Sequence, residues 1–297
     1  MSVLIDISHP AHVHFFRPVA QSLTADGVDV HIVAREKDVT LRLLEASALP
    51  FEVLPMSRPS RGRLAAATEL LHRSLALRRR IRRLGINVVL TRNPSGAIAA
   101  FGTPATSVFD TDDGRSVGVH YWLARPFADI TTSSVYDSER HGRHHRRYRA
   151  LKAQMFLHPS RFNPDASVHR TYFVNNERYC VVRFSAHDAS HDHRIQGITP
   201  EGRRAILERL KRFGPVVVSI ERQGLSLERD GSESIPVAPE HFHDLLAHAR
   251  LFVGDSQSVA AEAAILGVPA LRLSGFTHKT FYLAYLEDAG LIRNFSP

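Results

Sequence analysis

Short runs that are apolar at nearly every position alternate along this chain with stretches that are apolar every third or fourth position. Residues 3–7, Val-Leu-Ile-Asp-Ile, form the first run, and residues 28–34, 51–54, 86–90, 105–109 and 129–132 repeat it. Runs this short and this rich in branched residues predict strands buried on both faces. Between them, residues 16–23 and 39–46 have helical spacing, with Pro18 near one helix start and Gly27 past its end. Residues 64–84 carry Leu64, Ala67, Leu71, Leu75, Leu77, Ile81 and Leu84, which predicts the buried face of a long helix ended by Gly85.

The rhythm breaks between residues 136 and 176. A basic, His-rich run at 140–149, followed by Pro159 and Pro164, predicts a helix and a linker there. The rhythm resumes with strands at 179–184, 216–220, 251–253 and 269–273, and helices at 200–213, 241–249, 256–266 and 278–289. Alternating strands and helices predict parallel sheets covered on both faces. The expected organisation is one domain over residues 1–150, a linker over 151–178 and a second domain over 179–297.

Composition changes this picture only at the margins. The chain has 297 residues, 43% hydrophobic and 23% charged, which excludes disorder of the whole. The single Cys180 excludes a disulfide framework and a Cys-rich zinc site, and fits a reducing compartment. Asp6 interrupts the first apolar run, no basic segment precedes it, and no run reaches the roughly 18 apolar residues of a membrane span, so the expected location is cytoplasmic.

The balance is basic: 38 Lys plus Arg against 30 Asp plus Glu, and 18 His besides. Nucleic acid is the obvious partner for such a chain. Yet Arg78, Arg79, Arg80, Arg82 and Arg83 fall on the polar side of the long helix, and no nucleic-acid motif or aromatic interleaving accompanies them. That makes nucleic acid the weakest alternative. An anionic membrane surface, met peripherally, is the other use of the excess, at about 1 kcal/mol per nearby cation.

The candidate chemistry lies just after the strands, because ligands of open α/β sheets sit at the carboxyl ends of the strands. After the first strand come His9, His12 and His14, any of which can act as a general base or donate to a phosphate. After the run at 105–109 come Asp110, Asp112 and Asp113, suited to a cation or a sugar hydroxyl, with a helix cap as the bland reading. Residues 185–193 alternate His187, His191 and His193 with Asp188 and Asp192. The spacing matches no helical metal pair, so a loop contacting substrate is the better reading. His241, His243 and His248 fall on an ordinary helix.

The fourth loop is the most specific. Gly254-Asp255-Ser256-Gln257-Ser258 ends a strand and opens a helix, whose free N–H groups and positive dipole end suit an anion. Glu262, further along that helix, can accept two hydrogen bonds from a ribose diol. Simple capping by Ser256 is the competing reading.

Residues 254–270 resemble the donor-nucleotide motif of GT-B glycosyltransferases, among them the enzyme that adds N-acetylglucosamine to the peptidoglycan lipid precursor, and of the non-hydrolysing UDP-N-acetylglucosamine 2-epimerases. Residues 237–249 are similar to the segment that precedes the motif there, and residues 12–30 to those enzymes' first loop and helix. The whole chain looks like a family of predicted GT-B glycosyltransferases long grouped as a domain of unknown function. Its hallmarks are Asp-Ile-Ser-x-Pro-x-His-Val-His-Phe-Phe, here residues 6–16, and Gly-Asp-Ser-Gln, here residues 254–257.

The resemblance implies an α/β, GT-B-like fold: two Rossmann-like, doubly wound parallel-sheet domains facing a cleft, acceptor side first and nucleotide-sugar donor side second. It implies transfer of a sugar from a nucleotide-diphosphate donor, UDP among the candidates, to a lipid-linked or cell-envelope acceptor, with no cofactor and no metal. Ser256, Gln257 and Ser258 would hold the diphosphate on the turn made by Gly254 and Asp255, and Glu262 the ribose. One of His12 and His14 would lie near the reacting carbon. Asp113 and His187 would lie in the loops where the epimerases keep their acids and their catalytic histidine. Arg183, Arg222 and Lys279 are candidates to stabilise the leaving diphosphate. The epimerases' His-Arg-Arg-Glu-Asn and Gly-Thr-Arg-Pro-Glu stretches are absent, so 2-epimerisation is the alternative rather than the leading expectation.

Overall fold

In the computed structural model, described for residues 1–37, 39–54, 63–112, 114–136, 143–173, 178–184, 198–220, 237–274 and 281–295, the chain divides into two compact units, Met1–Phe156 and Leu157–Pro297. The first unit runs β1 (Ser2–Ile7), α1 (Pro10–Ala25), β2 (Asp29–Arg35), α2 (Thr40–Ala46), β3 (Phe51–Leu54), α3 (Arg63–Arg83), β4 (Val88–Thr91), α4 (Pro94–Ala100), β5 (Thr106–Asp110), α5 (Gly114–Ala124), β6 (Ile130–Ser134) and β7 (His145–Tyr148). A short helix α6 (Gln154–Leu157) spans the boundary. The second unit runs α7 (Ala166–Tyr172), β8 (Cys180–Phe184), α8 (Pro200–Lys211), β9 (Val216–Ile220), a 3₁₀ turn at Pro239–His241, α9 (Phe242–Ala247), β10 (Leu251–Gly254), α10 (Gln257–Ile265), β11 (Ala270–Leu273), α11 (Phe281–Asp288) and β12 (Ile292–Phe295).

The first sheet has the order β3-β2-β1-β4-β5-β6-β7 and the second β12-β11-β10-β8-β9, and among the described residues every pairing is parallel. Each unit is therefore a Rossmann-like α/β layer. The first six strands of one sheet follow the order 3-2-1-4-5-6, and the other follows the flavodoxin-like 2-1-3-4-5. Both orders reverse at a switch point, and ligands bind at the carboxyl end of such a point. The switch points are β1/β4 in the first unit and β8/β10 in the second.

β1 shows why its strand reads as apolar throughout. Val3, Ile5 and Ile7 face Val13, Phe16 and Leu44, while Leu4 faces the other side with Leu77, Ile81 and Val89. Each fully buried aliphatic side chain contributes about 1.5–3 kcal/mol. The second unit's core is Cys180, Val182, Leu207, Leu210, Val218 and Val253. Helix starts follow the caps expected of them. Asn93, Asp165 and Thr199 each accept a backbone N–H of the first turn, from Ser95, Ser167 and Gly202, and Pro94 and Pro200 follow their caps directly.

Three elements differ from the periodicity. In α3 the buried side chains are Arg73, Ser74, Leu77 and Ile81, whereas Leu64, Leu71 and Leu75 are exposed, Leu64 to 87%. The buried row is 73–77–81, one residue every fourth position, and it begins with a charged side chain. Arg73 donates from Nη2 to Asp6 Oδ1 at 2.5 Å, and Asp6 is 0% exposed. The acidic residue inside the first apolar run and the arginine inside the helix thus neutralise each other. Secondly, the basic stretch read as helix and linker holds β7, an edge strand whose Arg146 and Arg147 are exposed while His145 is buried against Ser133 Oγ at 2.8 Å. Thirdly, β12 adds an edge strand beside β11 in the last residues. Among the described residues no helix is long and apolar enough to cross a membrane.

Candidate functional site

At the first unit's switch point, the chain leaving β1 meets the chain leaving β4. His9 caps α1, its Nδ1 accepting Ala11 N–H at 3.2 Å, with Pro10 at the first helical position. Ser8 N–H donates to His12 Nδ1 at 3.4 Å, which assigns the proton of the neutral ring to Nε2. Across the switch, Asn93 Nδ2 donates to Ser8 Oγ at 3.2 Å, so the two strand ends are tied.

Beside them lies a charged cluster. Arg92, directly after β4, sits 3.1 Å from Asp110 Oδ2 through Nε and 2.8 Å from Asp112 Oδ2 through Nη2, with its guanidinium 5.0 Å from the centre of the Phe15 ring. Lys152 donates to Thr111 O at 2.8 Å and to Asp112 Oδ1, and lies 3.7 Å from Asp110 Oδ2. Thr132 and Tyr148 donate to Asp110 Oδ1 at 3.0 and 3.1 Å.

These surroundings drive the two carboxyls apart. Burial pushes Asp110 above the usual range, against the pull of Lys152 and Arg92. Burial also acts upward on Asp112, but there Arg92 and Lys152 outweigh it and hold the group well below the usual range. The two neighbouring carboxyls are thus shifted in opposite directions, Asp110 upward by burial and Asp112 downward by its two cations.

Burial, and after it Arg92, hold His12 well below 6.5. The consequence for pH has a definite sign. Above pH 6.5 both the folded and the unfolded ring are neutral; below it the unfolded chain takes up a proton that the folded ring refuses. This contribution to stability is therefore whole above pH 6.5 and is lost as the pH falls toward the lowered folded value. Imidazole proton resonances followed from pH 8 to 5 should show one ring, absent in a His12→Gln variant, still neutral at pH 6.5. Half-protonation of that ring at pH 6.5 would contradict the burial.

His14 follows His12 by two positions on α1, hence on another side of the helix, and stacks on Phe156 at 5.3 Å between ring centres. Asp113, His187, Arg222 and Lys279 lie outside the described residues.

The second unit's switch point is built around a glycine. Gly254 pairs in register with Arg183 of β8 on one side and Arg272 of β11 on the other; Arg183 pairs with Ser219 and Arg272 with Asn294. In-register residues of parallel strands project to one face, so a polar row crosses the whole sheet with its gap at Gly254. Both arginines are tied outward, Arg183 Nη1 to Ser219 Oγ at 2.6 Å and Arg272 Nη1 to Asn294 Oδ1 at 3.1 Å. Nothing larger than glycine fits in the middle: a Cβ there would lie 2.2 Å from Arg183 O. Gly254→Ala should cost about 1–3 kcal/mol, read as a lowered melting temperature; an unchanged melt would mean that β8 and β10 can separate freely.

From that gap the chain turns through Asp255, buried, into α10. Ser256 caps the helix, its Oγ accepting Val259 N–H at 3.4 Å, and Gln257 and Ser258 occupy the first turn. Glu262 stands on the next turn, and its Oε2 accepts from His243 Nε2 of α9 at 3.2 Å. The first-unit residues missed by sequence reasoning are Arg92, Lys152, Thr132 and Tyr148. Arg92 directly follows a strand, so the rule used for the other loops would have found it. Thr132 and Tyr148 reach Asp110 only because β7 lies beside β6, and Lys152 carries no sequence signal.

No family model and no curated protein matches the sequence. Solved structures do. S. aureus MnaA with UDP superposes with a TM-score of 0.70 at 11% identity, over 98% of this chain and 83% of that one. The Methanocaldococcus jannaschii UDP-GlcNAc 2-epimerase with UDP-GlcNAc and UDP gives 0.69 at 13% identity, over 100% and 89%. Acinetobacter baumannii MurG gives 0.59 at 14%, over 100% and 86%. The chain thus has an α/β, two-domain, GT-B-like fold built on parallel sheets of seven and five strands.

Proposed function

We propose that this protein is a GT-B-type glycosyltransferase that binds a nucleotide-diphosphate sugar at the N-terminus of α10 and passes the sugar to an acceptor. The observation that carries the reading is the second unit's switch point. A glycine kept bare by its neighbours opens into a Ser-capped helix start, and Glu262 follows on the same helix. Helix N–H groups and dipole suit a diphosphate there, and a carboxylate suits a ribose diol. The structural neighbours support it: of those named above, one holds UDP, and one is a UDP-GlcNAc 2-epimerase holding UDP-GlcNAc and UDP.

His12 and the Asp110–Asp112 pair are assigned to the chemistry. The neutral ring offers an Nε2–H donor, and the carboxyls offer one group raised by burial beside one held low by Arg92 and Lys152. Titration calorimetry with UDP, GDP, dTDP and CMP tests the reading: micromolar to millimolar binding of one of them is expected, and no binding of any at millimolar concentration overturns it.

Non-hydrolysing 2-epimerisation is the second reading, favoured by the higher superposition scores of the UDP-GlcNAc 2-epimerases and by the paired carboxyls. Incubation with UDP-N-acetylglucosamine separates the two, because an epimerase yields the 2-epimer with no acceptor present. A lipid-linked acceptor met at an anionic membrane completes the first reading. α5 exposes Val119, Trp122 and Leu123, and Arg125 lies over the Trp122 ring at 5.6 Å, a pairing suited to an anionic interface. Sedimentation with anionic liposomes at low salt, reversed at high salt, is expected; indifference to lipid charge would remove the membrane from the proposal.

A further inference from the structure

We infer that His243 is the positioning residue that presents Glu262 to the ribose, and so sets the preference for ribonucleotides over deoxyribonucleotides. The inference rests on the nucleotide-sugar reading of α10. Glu262, its side chain 13% exposed, sits on a helix whose neighbouring buried positions are Val259, Ala260, Ala261, Ala263 and Ala264. Among the described residues, one side chain hydrogen-bonds that carboxylate, and it is His243, Nε2 to Oε2 at 3.2 Å.

The histidine is itself confined. Its side chain is 10% exposed, with the Phe242 ring edge-on at 5.7 Å and the Phe162 ring edge-on at 6.3 Å. Beside these two rings, the imidazole turns its Nε2 to Glu262 Oε2. The bond takes one acceptor site of a carboxylate that has about four. Oε1 and the remaining site on Oε2 are left for a vicinal diol, with the group's orientation already chosen. Holding a long acidic side chain in its binding rotamer removes an entropy cost from the ligand's side of the balance.

A purely structural role would join α9 to α10 and nothing more. The two roles separate in a readout that stability does not move: the ratio of affinities for a nucleotide with and without its ribose hydroxyl. UDP and 2′-deoxy-UDP, with the ADP, GDP and CDP pairs alongside, are titrated into wild type, His243→Phe and His243→Gln. Wild type is expected to prefer the ribonucleotide about tenfold, as loss of a hydrogen bond to a charged group implies. His243→Phe should bring that ratio close to one while retaining diphosphate-driven binding. His243→Gln, whose amide can still donate to Oε2, should restore most of it.

A ribonucleotide preference kept in full by His243→Phe overturns the inference and leaves the site reading intact. Wild type that binds every nucleotide pair equally also overturns it. Wild type that binds no nucleotide overturns the site reading itself. Should the phenylalanine variant fail to fold, the glutamine variant decides: a lost preference in a stably folded protein contradicts the proposed donor role.

Discussion

Replacing Asp6 by alanine should destabilise the first unit by about 3–5 kcal/mol, the cost of leaving a buried charge without its partner. Arg73 is 5% exposed, its Nη2 donates to Asp6 Oδ1 and Ile7 O, and its Nε and Nη1 have no hydrogen-bond partner among the described residues. With Asp6 gone, no other carboxylate among the described residues pairs with that guanidinium. Thr91 and Ser95, whose hydroxyls lie 3.0 and 3.2 Å from Asp6 Oδ2, suffer less. Thr91 Oγ1 is also 2.9 Å from Asn93 O, and Ser95 Oγ is 2.8 Å from Asn93 Oδ1. The double variant Asp6→Val, Arg73→Met should therefore recover most of the loss, because replacing a buried pair by apolar groups is often neutral or better. Urea unfolding gives the order wild type, then double variant, then Asp6→Ala. A single variant within about 1 kcal/mol of wild type would mean that water reaches Arg73.

The same pair shows where the sequence was legible and where it was not. The central strands could be read because burial on both faces leaves an unbroken apolar signature, as in Val3, Leu4, Ile5 and Ile7. Helix α3 was legible as a helix, but its buried side was not. Periodicity ranks leucine above arginine, so Leu71 and Leu75 were placed inwards and Arg73 was passed over. Only the strand neighbour 67 positions away makes Arg73 a core residue. β7 was hidden for a related reason: an edge strand can expose charges at consecutive positions, so His145-Arg-Arg-Tyr148 has no apolar alternation to detect.

The second-unit loop was legible residue by residue, since a turn after a strand and the cap of a helix are local features. The partners across elements were not. His243 and Glu262 lie 19 positions apart on different helices, and Arg92 meets Lys152 only through the carboxylates of a third segment.

The remaining large effect falls on His12. If the protein acts on a nucleotide sugar as proposed, His12→Ala is expected to slow turnover by about 10²–10⁴-fold, the usual contribution of a placed proton-transfer or hydrogen-bonding group. Two roles are open to the ring, and the geometry favours one. Nδ1 accepts Ser8 N–H, and burial together with Arg92 keeps the ring neutral at physiological pH, so on the proposed reading Nε2–H serves as a donor rather than the ring as a proton acceptor. A neutral imidazole used this way stabilises developing negative charge without giving up its proton. On the proposed reading, proton transfer then falls to Asp110, which burial raises, rather than to Asp112, which Arg92 and Lys152 hold low. His12→Gln separates the roles, because a glutamine amide can donate near the Nε2 position but cannot relay a proton. If donation is the role, glutamine should recover about tenfold or more over alanine, and Asp110→Asn should be the slower variant. If glutamine is as slow as alanine, the ring is the base after all. An alanine variant within about threefold of wild type would remove His12 from the chemistry and leave the first unit's switch point to the carboxylates.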